Sequence, residues 1–241
     1  ELQKALQLPK TWYERLNISS DKDLWLASMG IYIFNRKTIL ELLDNAQTDF
    51  GKHIIPGAIQ THKLSSYVFQ GYWEDVGTIK AFFEANLDLT SLVPKFNFFD
   101  MQSPVFTRPR FLPASKVNGG HIAQSLLSDG CIVQGARLKD CMLGIRSIVG
   151  ADADLEEVVM MGGDFYESQD SIEQSEVQGC PRIGIGSGTT VRHAIIDKNA
   201  RIGKNCQITP DGKPQDMDHE LYHMRDGIVI IPKNAIVPDN T

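Results

Sequence analysis

Asp75 stands in the run Tyr72-Trp73-Glu74-Asp75-Val76-Gly77-Thr78, a glycine-flanked turn just before an amphipathic segment. A carboxylate at such a turn can hold Mg2+, which prefers oxygen ligands. Glu74 places a second carboxylate beside it, while Trp73 reads as a packing platform rather than a chemical group. Farther along, Arg108 and Arg110 flank Pro109. An Arg guanidinium offers phosphate a two-pronged fork, and a Lys ammonium offers a mobile point charge. Lys198 and Lys233 lie about two coils apart in the repeat described below. For each of these cations the local alternative is an exposed, solubilising charge.

Two further patterns carry less. His219-Glu220-Leu221-Tyr222-His223 fits HExxH, but zinc chemistry needs both histidines on one face of a stable helix and a third ligand. Here the segment reads as a solvated loop running into a strand at 228–231. Gly184, Gly186 and Gly188 alternate with other residues, yet they sit between repeats rather than at a strand-to-helix turn. They read as corners, not as a phosphate-cradling loop. The four cysteines, Cys131, Cys141, Cys180 and Cys206, show no CxxC spacing. Spacing alone leaves disulfides open; a reducing compartment is the reading adopted.

The elements that must position these groups fall into two architectures. The 241 residues carry 24 basic and 30 acidic side chains, a net charge of −6 that argues against a nucleic-acid footprint, which needs a basic face. No run approaches the ~18 apolar residues of a membrane helix. Of 20 aromatic residues, 17 precede Gly119; of 20 glycines, 15 lie from Gly119 onward. In the first part, 25–34 and 66–70 read as strands. Asn35, Asp49 and Thr78 read as helix caps, with Pro56 ending or kinking the second helix. Alternating strands and helices argue for an α/β layer, but with too few strands for an independent sheet. The start, Glu1-Leu2-Gln3-Lys4, suggests a chain that begins inside a longer protein. Residues 91–118 form a proline-rich linker whose aromatics are expected to pin it down.

From Gly119 onward, aliphatic residues recur every six positions: Leu126, Ile132, Leu138; Leu143, Val149, Leu155, Met161; Ile185, Val191; Ile196, Ile202, Ile208; Ile230, Ile236. A six-residue period predicts a parallel β-helix, three hexads per triangular coil. A narrow axis explains the scarcity of rings. Two insertions, Gly163–Arg182 (acidic) and Thr209–Asp226, are expected to project as loops.

Five segments in order carry a resemblance: Ala27-Ser28-Met29-Gly30-Ile31-Tyr32, Asp49-Phe50-Gly51-Lys52, Tyr72 through Thr78, Pro109-Arg110-Phe111-Leu112-Pro113, and Ile195 through Gly203. With them the chain resembles the ADP-glucose pyrophosphorylases (glucose-1-phosphate adenylyltransferases), and most the plant and cyanobacterial small-subunit type. The resemblance implies the C-terminal part of a nucleotidyltransferase α/β domain (1–90), the linker (91–118) and a left-handed parallel β-helix (119–241). It implies ATP and glucose 1-phosphate as substrates, ADP-glucose and pyrophosphate as products, and Mg2+ as cofactor. It also implies a homo- or heterotetramer regulated by 3-phosphoglycerate and phosphate in starch or glycogen synthesis. The compartment would be the plastid stroma in a plant and the cytoplasm in a bacterium.

By resemblance, Ser28, Asp49, Glu74 and Asp75 line the sugar-phosphate site, Asp75 also meeting the metal. Taken locally, Ser28 is a strand hydroxyl and Asp49 an N-cap. Arg108, Arg110, Lys198 and Lys233 match effector positions, although Arg108 stands where the family often has Gln. The family's glycine-rich ATP loop, main metal-binding Asp and substrate lysine have no counterpart in these 241 residues. The chain alone is therefore expected to be inactive. Three alternatives stand beside this. One is a non-catalytic regulatory subunit of the same family. Another is a hexapeptide-repeat acyltransferase, for which His121 and His193 are the only coil histidines. The third is another sugar-nucleotide pyrophosphorylase with a β-helix tail, which would lack the effector-side motifs.

Overall fold

The computed structural model describes residues 7–241. The chain divides into two compact units, Glu1–Trp73 and Glu74–Thr241. In the first, short helices run over Thr11–Arg15, Arg36–Leu42 and Ile55–Thr61. Asp49 caps as expected: its Oδ1 accepts the Lys52 backbone N–H at 2.8 Å. The chain then makes a π-helical turn, Phe50–Ile54, before Pro56 settles into the first turn of the following helix. Proline is tolerated there because it has no N–H to lose.

The strands expected at 25–34 and 66–70 do not form; Trp25 makes only an isolated bridge to Gln7. A strand needs a neighbour to satisfy its N–H and C=O groups, and the described residues of this unit supply none. Ile31, Ile33 and Tyr67 are accordingly exposed. Tyr32, Phe34 and Phe50 gather into one small ring cluster, with centroids 5.9–6.1 Å apart.

The second unit is a parallel β-helix. One face stacks Lys116–Asn118, Ile132–Gln134, Ile148–Val149, Gly184–Ile185, Arg201–Ile202 and Ile236–Val237 as a parallel ladder. The other two faces share three seven-residue strands, Arg137–Leu143, Asp154–Met160 and Thr190–Ile196, paired in parallel. Each of these strands turns a corner at a left-handed residue: Asp140 (φ 52°), Glu157 (φ 53°) or His193 (φ 47°). Between axis residues the corner takes five positions instead of six, as from Leu155 to Met160. That accounts for the slips in the period.

The spacing was legible but its phase was not fully so. Val133, Met160, Ile231 and Val237 are buried on the axis, where Ile132, Met161, Ile230 and Ile236 were expected; Leu127, not Leu126, packs against the core. Each of these pairs is two apolar residues in succession, so periodicity alone cannot choose between them. Close stacking of coils also sets where a side chain is impossible. A Cβ on Gly186 would lie 2.4 Å from the Gly203 carbonyl oxygen. Three cysteines are buried and all four are free; burial pushes the Cys141 thiol up to about 11.

The insertions are more ordered than loops. The first contains a helix, Gln169–Val177, and is tied down by Glu167. The Glu167 carboxylate meets Arg201 at 2.6 Å and accepts the Ile183 N–H at 2.9 Å. The second forms an antiparallel hairpin, Met217–Asp218 with His223–Arg225, which continues onto Ile228–Ile231. The linker aromatics are not pinned: Phe99, Phe106 and Phe111 are exposed, and only Phe96 and Phe98 pair edge to face at 5.3 Å. The coil axis has no room for rings, and the linker lies outside it.

Thr78 Oγ1 accepts the Ala81 N–H at 3.2 Å and caps the helix Ile79–Asp88. Grouped by sequence with the preceding segment, this helix packs on the outside of the coil. There Phe83 is buried with Val159, Ile195 and Ile228.

The phase of the coil can be checked with one chemical change made twice. Ile202 is buried, and Ile236 on the strand paired with it is 47% exposed. Ile202→Ala should cost about 2–5 kcal/mol, and Ile236→Ala no more than about 0.5 kcal/mol. Denaturant midpoints of the β-helix transition provide the measurement, and equal costs would contradict the assigned axis.

Candidate functional site

The strongest constellation lies at one corner of the β-helix. The tripeptide Lys-Asn-Ala occurs twice, at 198–200 and 233–235. Asn199 and Asn234 both hold φ near 60°, and Asn234 donates its backbone N–H to the Lys198 carbonyl at 3.0 Å. Asparagine tolerates this left-handed conformation better than most side chains. The two tripeptides stack because Arg201 and Ile236 pair in register three residues farther on. Lys198 and Lys233 therefore occupy equivalent places on adjacent coils, not places two coils apart. The second insertion takes up the extra sequence between them.

Both lysines converge on Asp164. Lys198 Nζ lies 2.9 Å from Asp164 Oδ1, and Lys233 Nζ lies 3.5 Å from Oδ2. Asn199 grips the same residue twice: Nδ2 donates to Oδ2 at 3.1 Å, and Oδ1 accepts the Asp164 N–H at 2.8 Å. The Lys198 and Asn199 hydrogen bonds, with the Lys233 charge, hold the Asp164 carboxyl down at about 2. Two ammonium groups and an amide thus form a cradle for an oxyanion, with a carboxylate of the chain itself in it. Sequence reading placed Asp164 only in a solvated acidic run. The signal that could have found the cradle was the repeated Lys-Asn-Ala.

The other candidates are more open. Ser28 Oγ lies 2.9 Å from Tyr32 Oη and accepts the Gly30 N–H at 3.2 Å. At Asp49 the backbone N–H of Lys52 draws the carboxyl below its ordinary range, with Lys52 Nζ 3.9 Å away. Asp75 Oδ1 accepts the Gly77 N–H at 2.9 Å, which shapes the turn, and both Glu74 and Asp75 are exposed. Ser28 and Asp49 belong to the first unit; Glu74, Asp75 and the four cations belong to the second. Arg110 Nη1 donates to the Arg108 carbonyl at 3.1 Å, and both side chains are exposed.

The HExxH residues lie on the hairpin, not on a helix. His219 stacks on Tyr222 at 4.6 Å, and His223 Nδ1 lies 2.8 Å from Asp218. Of the two coil histidines, His193 is engaged with Glu157 and Phe83. Among the described residues, no helix is long and apolar enough to cross a membrane.

The cradle makes a pH-dependent prediction. Asp164 titrates lower in the folded chain than its ordinary 3.8. Its stabilisation is therefore present above about pH 4 and lost as pH falls toward 2. Asp164→Asn should lower the thermal midpoint at pH 7. The gap from the unsubstituted chain should narrow below about pH 4. A gap independent of pH would show that the carboxylate charge is not what holds the cradle.

Comparison with known proteins bears on the whole constellation. Residues 110–241 match the GLGC left-handed parallel β-helix domain, and residues 20–91 match the nucleotidyl transferase family. A maize (Zea mays) protein, glucose-1-phosphate adenylyltransferase large subunit 1, chloroplastic/amyloplastic, is 43% identical over 222 residues. The alignment takes in 90% of this chain and 43% of the relative, so the chain spans less than half of that protein's length. The relative is named a large subunit, where the sequence motifs point to the small-subunit type; the match carries the family and not the subunit class. A nucleotidyltransferase segment followed by a left-handed β-helix, matched in both parts and in order, shows that this chain belongs to the glucose-1-phosphate adenylyltransferase (ADP-glucose pyrophosphorylase) family.

Proposed function

We propose that this chain forms the sugar-phosphate side and the regulatory β-helix of an adenylyltransferase that joins ATP and glucose 1-phosphate into ADP-glucose and pyrophosphate. The product would feed starch synthesis in the plastid stroma of a plant, or glycogen synthesis in a bacterial cytoplasm. The working form would be a homo- or heterotetramer. One observation carries the regulatory part: Lys198, Lys233 and Asn199 already hold a carboxylate in the geometry that an effector oxyanion would use. Phosphate and 3-phosphoglycerate bring such oxygens, and the exposed forks of Arg108 and Arg110 add further donors.

On the substrate side, Ser28 and Asp49 of the first unit offer a hydroxyl and a carboxylate to sugar oxygens, and Glu74 and Asp75 of the second unit each offer a carboxylate of their own. Asp75 has one oxygen turned to Gly77 N–H and a second that can serve a cation. A single carboxylate fits Mg2+, which takes one or two carboxylates and completes its shell with water and substrate phosphates. When bound, Mg2+ would neutralise phosphate charge. What Asp75 itself contributes is a carboxylate oxygen that can accept a hydrogen bond from a sugar hydroxyl or help hold the cation that meets the sugar phosphate.

Two measurements test these proposals. In the full assembly, Lys198→Ala should weaken activation by 3-phosphoglycerate or inhibition by phosphate about ten-fold or more, the worth of one charge-assisted hydrogen bond. An unchanged response to both effectors would count against the anion site. Separately, the 241-residue chain alone should form no ADP-glucose from ATP and glucose 1-phosphate. Clear turnover would mean that the chain holds a complete ATP site.

A further inference from the structure

Phe83 is only 2% exposed, and it is buried not in the coil axis but on the coil's outer surface. Its ring meets the His193 imidazole edge-on, with centroids 4.7 Å apart and planes at 68°. His193 Nδ1 in turn lies 2.6 Å from Glu157 Oε2. Glu157 and His193 stand at the same corner of successive coils, because Glu156 pairs with Arg192 and Val158 with Ala194 on either side. Both residues adopt a left-handed backbone without being glycine. That conformation is uncommon for non-glycine residues, and here the carboxylate and the ring meet each other while the ring also meets Phe83.

Phe83 lies five residues beyond the Thr78 cap, in the helix Ile79–Asp88, and the Asp75 turn stands just before that cap. Little slack separates the two ends. Asp75 Oδ1 is bonded to Gly77 N–H, Thr78 Oγ1 to Ala81 N–H, and the helix itself is stiff. Whatever seats Phe83 therefore fixes the direction from which the Asp75 carboxylate is presented.

We infer that Phe83, seated on the His193–Glu157 pair, is a positioning residue: the β-helix uses it to hold the Asp75 turn at the angle the sugar phosphate requires. The inference rests on the reading of Asp75 as a sugar-phosphate ligand. His193 acts through packing and not as a proton carrier, and Glu157 fixes the plane of its ring.

The test uses the full-length enzyme. Phe83→Leu and His193→Ala should raise KM for glucose 1-phosphate about ten-fold, the scale of a small misplacement at a reacting centre. KM for ATP and the phosphate affinity of the Lys198 corner should stay unchanged. Glu157→Ala should raise the same KM in smaller measure, and Glu157→Gln, which keeps an acceptor for the imidazole N–H, should restore it. Glu157 is 49% exposed, so its variants remain informative should Phe83→Leu not fold. Asp75→Asn is measured in parallel. If Asp75→Asn changes catalysis while the Phe83, His193 and Glu157 variants lower only thermal stability, the positioning role is overturned and the Asp75 reading stands. If Asp75→Asn changes nothing, both fall.

Discussion

A triangular coil has an axis only wide enough for aliphatic side chains, and the rest of the second unit answers to that constraint. Leu138, Leu155 and Val191 stack directly upon one another, one per coil. Larger rings are kept off the axis, which is why Phe83 packs outside and why Phe99, Phe106 and Phe111 find no cover on the linker. The same narrowness sets the corners. The chain must turn every five or six residues, so asparagines, aspartates and even a histidine and a glutamate take up left-handed backbone there. Polar side chains are thereby presented in register, coil after coil, at fixed edges of the prism.

Both constellations in this unit are products of that register. At one edge, repetition of Lys-Asn-Ala brings two ammonium groups within reach of a single carboxylate. At another, Glu157 and His193 meet because their strands are paired. The strand Thr190–Ile196 serves both. It carries His193 and Ile195 against the helix and is followed two residues later by Lys198. The clasp on Asp164 and the seat of Phe83 thus share one short piece of backbone.

Much of this was legible in the sequence. The six-residue period announced the β-helix, and Thr78 and Asp49 announced their caps. The phase was harder, because Ile132-Val133 and Ile236-Val237 are equally apolar at both positions and only the packed axis chooses. The clasp at Asp164 was hidden for a different reason. Its acidic run looks solvated in one dimension, and its lysine partners lie 34 and 69 positions away along the chain, counted from Asp164 to Lys198 and Lys233. The strands expected in the first unit failed on a physical requirement that composition does not express: a strand's hydrogen bonds must be met by a neighbour, which Ile31 and Ile33 lack among the described residues.

The insertion after Met160 has a thermodynamic meaning beyond its contacts. Closing a longer excursion costs little, about 0.6 kcal/mol for each doubling of its length. The few anchors at Asp164 and Glu167 are therefore enough to offset it. Those anchors grip corners and not the axis, so the excursion is fastened to the side of the stack rather than built into it. An anion that competes for Lys198 and Lys233 would be read out first as the release of a tether.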